Sequence, residues 1–235
     1  MLIHVGTSGW SYKEWKGNFY PTDLSSDDML RYYATRLPTV EINNSFYRIP
    51  KESVLLEWAG QVPAGFRFVL KASRRITHIA RLANEDGSLE YFMRTVNVLG
   101  ERLGPTLFQC PPSLRKDMPR LREFLARIPR TWPAAMEFRH DSWFTDEVYD
   151  ALREQDIALV TVEEEDGEGG GAPLVPTASW GYLRLRRTDY REDQLKGWVD
   201  RIQSQPWREA YAFLKHDEEK PTGPEAAVKL AELVT

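Results

Sequence analysis

Cysteine is nearly absent: Cys110 is the one thiol among 235 residues. This excludes an intramolecular disulfide and any zinc cage built on several cysteines, and it fits a reducing compartment. Long apolar runs are missing as well. No stretch approaches the roughly 18 apolar residues that a membrane-spanning helix needs. The opening MLIHVGTSGW has no charged segment followed by an apolar one, a pattern that predicts no signal peptide, no membrane and a cytoplasmic location. Positive charge is not in excess either. Lys+Arg number 31 against 35 Asp+Glu, a net charge of −4, which argues against a basic surface wrapped around nucleic acid. No HExxH or paired-His spacing occurs, so no metal site is assigned; a divalent cation stays open but not favoured.

Aromatic residues are what the chain has in surplus, with 8 Trp, 10 Tyr and 10 Phe. Short apolar runs alternate with longer amphipathic segments. Strands are predicted over Leu2–Gly6, Thr39–Asn43, Phe66–Lys71, Thr106–Gln109, Ala135–Phe138, Ile157–Thr161, Tyr182–Leu185 and Ala210–Lys215. Between them, helical spacing runs over Asp27–Leu37, Ser53–Gln61, Leu89–Leu103, Met118–Ile128, Asp146–Gln155, Gln194–Gln203 and Glu225–Leu233. Pro38, Pro63, Pro105, Pro129 and Pro133 punctuate the boundaries. An open doubly wound sheet would alternate too, but no glycine-rich dinucleotide turn follows the first strand, and eight repeats is the count of a closed barrel. The pattern predicts an α/β fold, a single TIM-type (β/α)8 barrel domain over residues 1–235. The acidic, glycine-rich Glu163–Gly171 leaves no room for a helix, so an irregular, solvated connection is expected after strand six.

In such a barrel, function sits at the C-terminal ends of the strands. Those ends carry Glu41 and Asn43, Lys71 and Arg74, Gln109, Glu137 and Arg139, Arg184 and Arg186, and Lys215. With Val40, Ile42, Phe68, Leu70, Met136, Phe138, Leu183 and Leu185 facing the helices, the period of two turns Glu41, Asn43, Lys71, Glu137, Arg139, Arg184 and Arg186 inward. Charges there are costly unless paired or met by a ligand. Internal pairing of Glu41 with Lys71, and of Glu137 with an arginine, would account for part of the set but leave cations over. A cationic mouth suits a phosphate or carboxylate. Trp10, Phe46, Tyr47 and Trp143 follow the same strand ends, and His78 and His140 lie close behind. Rings beside cations suit a sugar or nucleobase bearing an anion, although each ring could instead seal its loop onto the barrel.

The segments GTSGWSYKEWKGNFYP (6–21), VEINNSFYRIP (40–50), KASRRITH (71–78), LGPTLFQCPPS (103–113) and EFRHDSW (137–143) resemble the YecE-like family, also called domain of unknown function 72. The resemblance spans nearly the whole chain and implies a TIM-type barrel without assigning an activity. Trp10, Glu41, Asn43, Lys71, Thr77, His78, Gln109, Glu137, Arg139 and Trp143 fall within its motifs. The chain departs from the family after strand seven, with Arg184-Leu185-Arg186-Arg187 where many relatives have an Arg-X-His-Gly pattern. It departs again at Lys215-His216-Asp217-Glu218, where many carry asparagines.

A retaining glycosidase on this fold usually places its carboxylates after strands four and seven, where this chain has Gln109 and Arg184. A metal held by Glu41, Glu137, His140, His216 and Asp217 would compete with Lys71 and Arg139. Ser8 in GTSGW does not match a GxSxG elbow, Cys110 reads as a small buried residue, and a Schiff base on Lys71 lacks an identified carbonyl partner. The pattern therefore points to a mouth that binds an anionic small molecule or nucleic-acid segment. Glu137 is expected as general base and Glu41 as partner carboxylate, for phosphoester cleavage or isomerisation. Lys71, Arg139, Arg74, Asn43, Gln109, His78, His140 and Arg184 are expected to bind the ligand, with Trp10 and Trp143 as stacking walls. No cofactor and no protein partner is identified, and a non-catalytic binding module using the same pocket is the alternative.

Overall fold

The computed structural model describes residues 1–83, 86–163, 172–216 and 221–234. Eight parallel strands close on one another in chain order. They are β1 (Leu2–Ser8), β2 (Thr39–Ile42), β3 (Arg67–Lys71), β4 (Leu103–Gln109), β5 (Ala134–Glu137), β6 (Ala158–Glu163), β7 (Trp180–Leu185) and β8 (Glu209–Leu214). Closure is made by β1 on β8, in register from Leu2 opposite Glu209 to Thr7 opposite Leu214. The helices are α1 (Met29–Tyr33), α2 (Glu52–Gln61), α3 (Ser88–Val96), α4 (Met118–Ala126), α5 (Asp146–Arg153), α6 (Glu192–Gln203) and α7 (Gly223–Leu233).

Alternation sorts the side chains as the sequence pattern predicts. Val40, Ile42, Phe68, Leu70, Met136, Phe138, Leu183 and Leu185 belong to the large core between barrel and helices. Val69, Leu107, Ala135, Val160, Tyr182 and Phe213 form a second cluster that fills the barrel itself. The charged residues therefore stand on top of a packed plug, at the strand C-termini. Tyr33 on α1 fixes the first two strands beside that end. Its hydroxyl accepts from the Thr7 amide at 2.9 Å and donates to the Thr39 carbonyl at 2.9 Å. Gly6 is required by the same contact zone, because a Cβ there would lie 2.2 Å from the Thr39 carbonyl oxygen.

Differences from the sequence expectation are local. The helix expected over Leu89–Leu103 stops at Val96 and continues as a 3-10 turn, broken where Gly100 adopts φ 54°. Pro105, expected as a boundary, lies inside β4. The β3–β4 register is irregular there, with Phe68 opposite Leu103 but Leu70 opposite Thr106. A short π-helical turn, Arg75–Ile79, follows β3 where no element was expected. No helix or strand forms over the described residues 172–179 after β6. The rest of the expected acidic loop, 164–171, lies outside the described residues, as do Asp217 and Glu218. Among the described residues no helix is long and apolar enough to cross a membrane.

Candidate functional site

Arg184 is the centre of the strand-end cluster. Rising inward from β7 and buried, it donates from Nη2 to Glu41 Oε1 at 2.8 Å and from Nη1 to Glu137 Oε2 at 2.7 Å. The two carboxylates come from opposite sides of the barrel, β2 and β5, and one planar guanidinium bridges them. Their remaining oxygen positions are also occupied. Glu41 accepts from Ser8 Oγ at 2.8 Å, Asn43 Nδ2 at 3.0 Å and Tyr182 Oη at 2.6 Å. Glu137 accepts from Gln109 Nε2 at 2.8 Å and Arg139 Nε at 2.9 Å.

These bonds decide the charge states. Burial alone would raise the Glu137 carboxyl, but Arg184 and Arg139, with the Gln109 bond, outweigh it and hold it at about 2. Burial is likewise outweighed at Glu41 by Arg184 and the three hydroxyl and amide donors, so its carboxyl is lowered. Both are ionised at neutral pH. Tyr182 is pushed well above its ordinary value by burial and by Glu41, and it stays a donor.

Lys71 is treated differently. Its Nζ donates to Gln109 Oε1 at 2.8 Å and sits 4.1 Å from the centroid of the Phe46 ring. It forms no ion pair among the described residues, since the adjacent carboxylates are taken by Arg184 and Arg139. Burial and the positive field of Arg184 lower it to about 8, against the opposing pull of Glu137 and Glu41. His78, edge to face with Phe46 at a centroid distance of 4.8 Å, is lowered by burial and by Lys71, Arg139 and Arg74. A cavity of about 380 Å³ opens above this group, and Lys71, Arg139, Arg184, Arg186 and Lys215 reach its wall. No Asp or Glu lines it among the described residues.

The strand-end candidates Glu41, Asn43, Lys71, Gln109, Glu137, Arg139 and Arg184 thus meet in one connected network. Arg74 stands exposed at the start of the π turn, within electrostatic reach of His78. His140 turns back on its own chain, accepting the Ser142 amide on Nδ1 at 3.2 Å. Trp143 must be corrected as a stacking wall. It is fully buried, lies on Phe138 at 4.4 Å and 11°, and donates its indole N–H to the Leu114 carbonyl at 2.7 Å. Trp10 does not face the cationic mouth either. It lines a neighbouring pocket and meets Trp58 edge to face at 5.0 Å. Among the described residues no group of three or more His, Cys, Asp and Glu side chains is placed to hold a metal ion. Cys110 is buried and its thiol is pushed up by burial and by Glu137, away from reactive thiolate character.

With this geometry in hand, the family of proteins described as "Protein of unknown function DUF72" matches residues 4–235. The chain belongs to this family. The UPF0759 protein YunF of Bacillus subtilis strain 168 is 27% identical over 232 residues, covering 93% of this chain and 80% of YunF. The UPF0759 protein YecE of Escherichia coli K12 is 30% identical over 144 residues, covering 61% of this chain and half, 50%, of YecE. The crystal structure of a DUF72 family protein from Thermotoga maritima aligns with a TM-score of 0.83 at 26% identity, covering 100% of this chain and 99% of that one. A D-psicose 3-epimerase crystallised with D-fructose aligns at TM-score 0.52 and 11% identity, covering 100% and 96% of the two chains, a likeness of fold alone.

Three members of the DUF72 network were not singled out as site residues from sequence: Ser8, Phe46 and Tyr182. Tyr182 had the same inward parity as Arg184, and that parity was the available signal. Ser8 read as a turn residue, but it ends β1 in register with Glu41, which brings its hydroxyl onto that carboxylate. Phe46 was one ring among many. Only its place across from the end of β3 sets it beneath the Lys71 ammonium.

Proposed function

We propose that the strand-end mouth of this DUF72 barrel binds a small ligand through an anionic group of the phosphate class and carries out acid/base chemistry on it, isomerisation or phosphoester cleavage. The observation that carries this reading is Lys71, an ammonium with no ion pair among the described residues, in a cavity whose described wall is cationic. Arg139 is its partner on the ligand. Its Nε is engaged by Glu137, and its side chain stays 37% exposed, enough to reach into solvent and meet an anion.

In this reading the roles of the carboxylates shift. A carboxylate held at about 2, as Glu137 is, is a weak base at neutral pH, and Glu41 is lowered too, so both serve to fix Arg184, Gln109 and Arg139 rather than to move protons. Lys71, lowered to about 8, is the group whose proton is readily given and taken. His78, lowered and packed against the Phe46 ring, stands behind Lys71 outside the cavity wall.

The test begins with binding. Titration calorimetry with inorganic phosphate should show saturable binding that weakens strongly in both K71M and R139M. The protein is then incubated in D2O with a panel of phosphorylated sugars and phosphodiesters, with NMR following carbon-bound deuterium and released phosphate. Deuterium entry marks isomerisation, and phosphate or alcohol release marks cleavage. Binding without either result assigns the pocket to a non-catalytic module, and absence of anion binding refutes the site.

A further inference from the structure

Beside the cationic mouth lies a second cavity of about 390 Å³, between the loop after β1 and helices α1 and α2. The two share Tyr12 and Asn43 as a common wall. Their charge characters are opposite. The second cavity is lined by Asp27 and Glu57 and, among the described residues, by no Lys, Arg or His. Its aromatic wall is the pair Trp10 and Trp58, crossed at 85° with centroids 5.0 Å apart. At the end of α2, Gln61 also lines this cavity, while its Oε1 is shut away from solvent. The side-chain donors there are partly spent already, since Asn43 Nδ2 is given to Glu41 and Tyr12 Oη to the Ser8 carbonyl.

We infer that this side pocket is a binding site for an alkylammonium group. Two indole faces attract a cation, and two carboxylates at the rim reinforce that field. An anion is repelled here by the same carboxylates, so the pocket is not a second copy of the mouth. The assignment does not depend on what the mouth binds.

The experiment uses the intact chain and the indole N–H signals of Trp10 and Trp58, identified by W10F and W58F. n-Butylammonium chloride is titrated against sodium chloride at equal ionic strength, with 1-butanol and D-glucose as neutral probes. Saturable movement of both indole signals by butylammonium alone is expected. The double variant D27N/E57Q changes only exposed side chains and should bind butylammonium about fivefold more weakly or worse. Its response to inorganic phosphate at the mouth should be unchanged. An equal response to butanol would make the pocket merely apolar, and a preferential response to glucose would make it a polyol site. Either outcome overturns the inference, as does no saturable movement with butylammonium. A failed phosphate titration with a successful amine titration would count against the mouth and leave this site standing.

Discussion

The Lys71 ammonium donates to the side-chain carbonyl of Gln109 at 2.8 Å and not to a carboxylate. The other end of the same amide donates to Glu137 at 2.8 Å, so Gln109 keeps the lysine close to the negative charge without pairing it. An anion that binds Lys71 favours its protonated form. Because the amine is lowered to about 8, anion affinity should be full below that value and fall as pH rises through it. Sulfate is the appropriate probe, since its own charge is constant over this range. Calorimetry should show about a tenfold loss across the transition, the size of one charge-assisted hydrogen bond. K71M should bind weakly at every pH and show no such inflection.

Arg184 and Arg139 both touch Glu137, yet their removal should have different consequences. Arg184 is buried and bridges two carboxylates that have no access to water. R184M strands both charges, and a loss of about 3–5 kcal/mol in denaturant unfolding is expected. Arg139 is partly exposed, and its loss leaves Glu137 still held by Arg184 and Gln109. R139M should cost less than R184M, about 1–3 kcal/mol for one hydrogen bond to a buried carboxylate, while weakening anion binding severely. Similar destabilisation by the two variants would mean that the bridging role of Arg184 is misassigned.

The acid limb of stability should report Glu137. Its carboxyl is held at about 2 in the folded chain against an ordinary value of 4.5. A depressed acid contributes stability above its unfolded value, and that contribution is lost as pH falls from about 4.5 towards about 2. E137Q should therefore be less stable than the parent at neutral pH, by a few kcal/mol on the order implied by the shift. The gap between the two should narrow as the pH falls through that window. Parallel urea titrations at several pH values test this, and a gap that widens on acidification would contradict the assignment.

Much of this architecture was legible in residue order, and the parts that were not have a common cause. Strand period located all eight strands to within a few residues, although Pro105 lies inside β4 and not at its edge, and parity alone turned Glu41, Lys71, Glu137, Arg139 and Arg184 to one side. Parity gives direction but not partners. The sequence cannot show that Tyr182 reaches a carboxylate 141 positions away, or that one arginine spans both glutamates. The glutamates looked like an acid/base pair because their bonding was invisible, and the bonding is what fixes them as ions. Gly100 breaks the 3-10 turn after α3 although the apolar spacing runs on past it, since spacing carries no information about a positive φ.

Trp143 is the sharpest case of a ring whose place in the chain misleads. It follows the end of β5 beside Arg139 and His140, as a wall of the mouth would, yet it is fully buried. Its stack on Phe138 and its bond to Leu114, 29 residues earlier, pin the loop after β4 to the loop after β5. W143F keeps most of the stack, removes the indole donor and leaves the Leu114 carbonyl without its partner. The expected cost is about 1–3 kcal/mol in unfolding free energy, from a lost buried bond and a small cavity. Sulfate affinity at the mouth should stay within about twofold of the parent, because neither ring nor bond touches Lys71 or Arg139. A variant of normal stability that loses the anion would return Trp143 to the mouth and refute this placement.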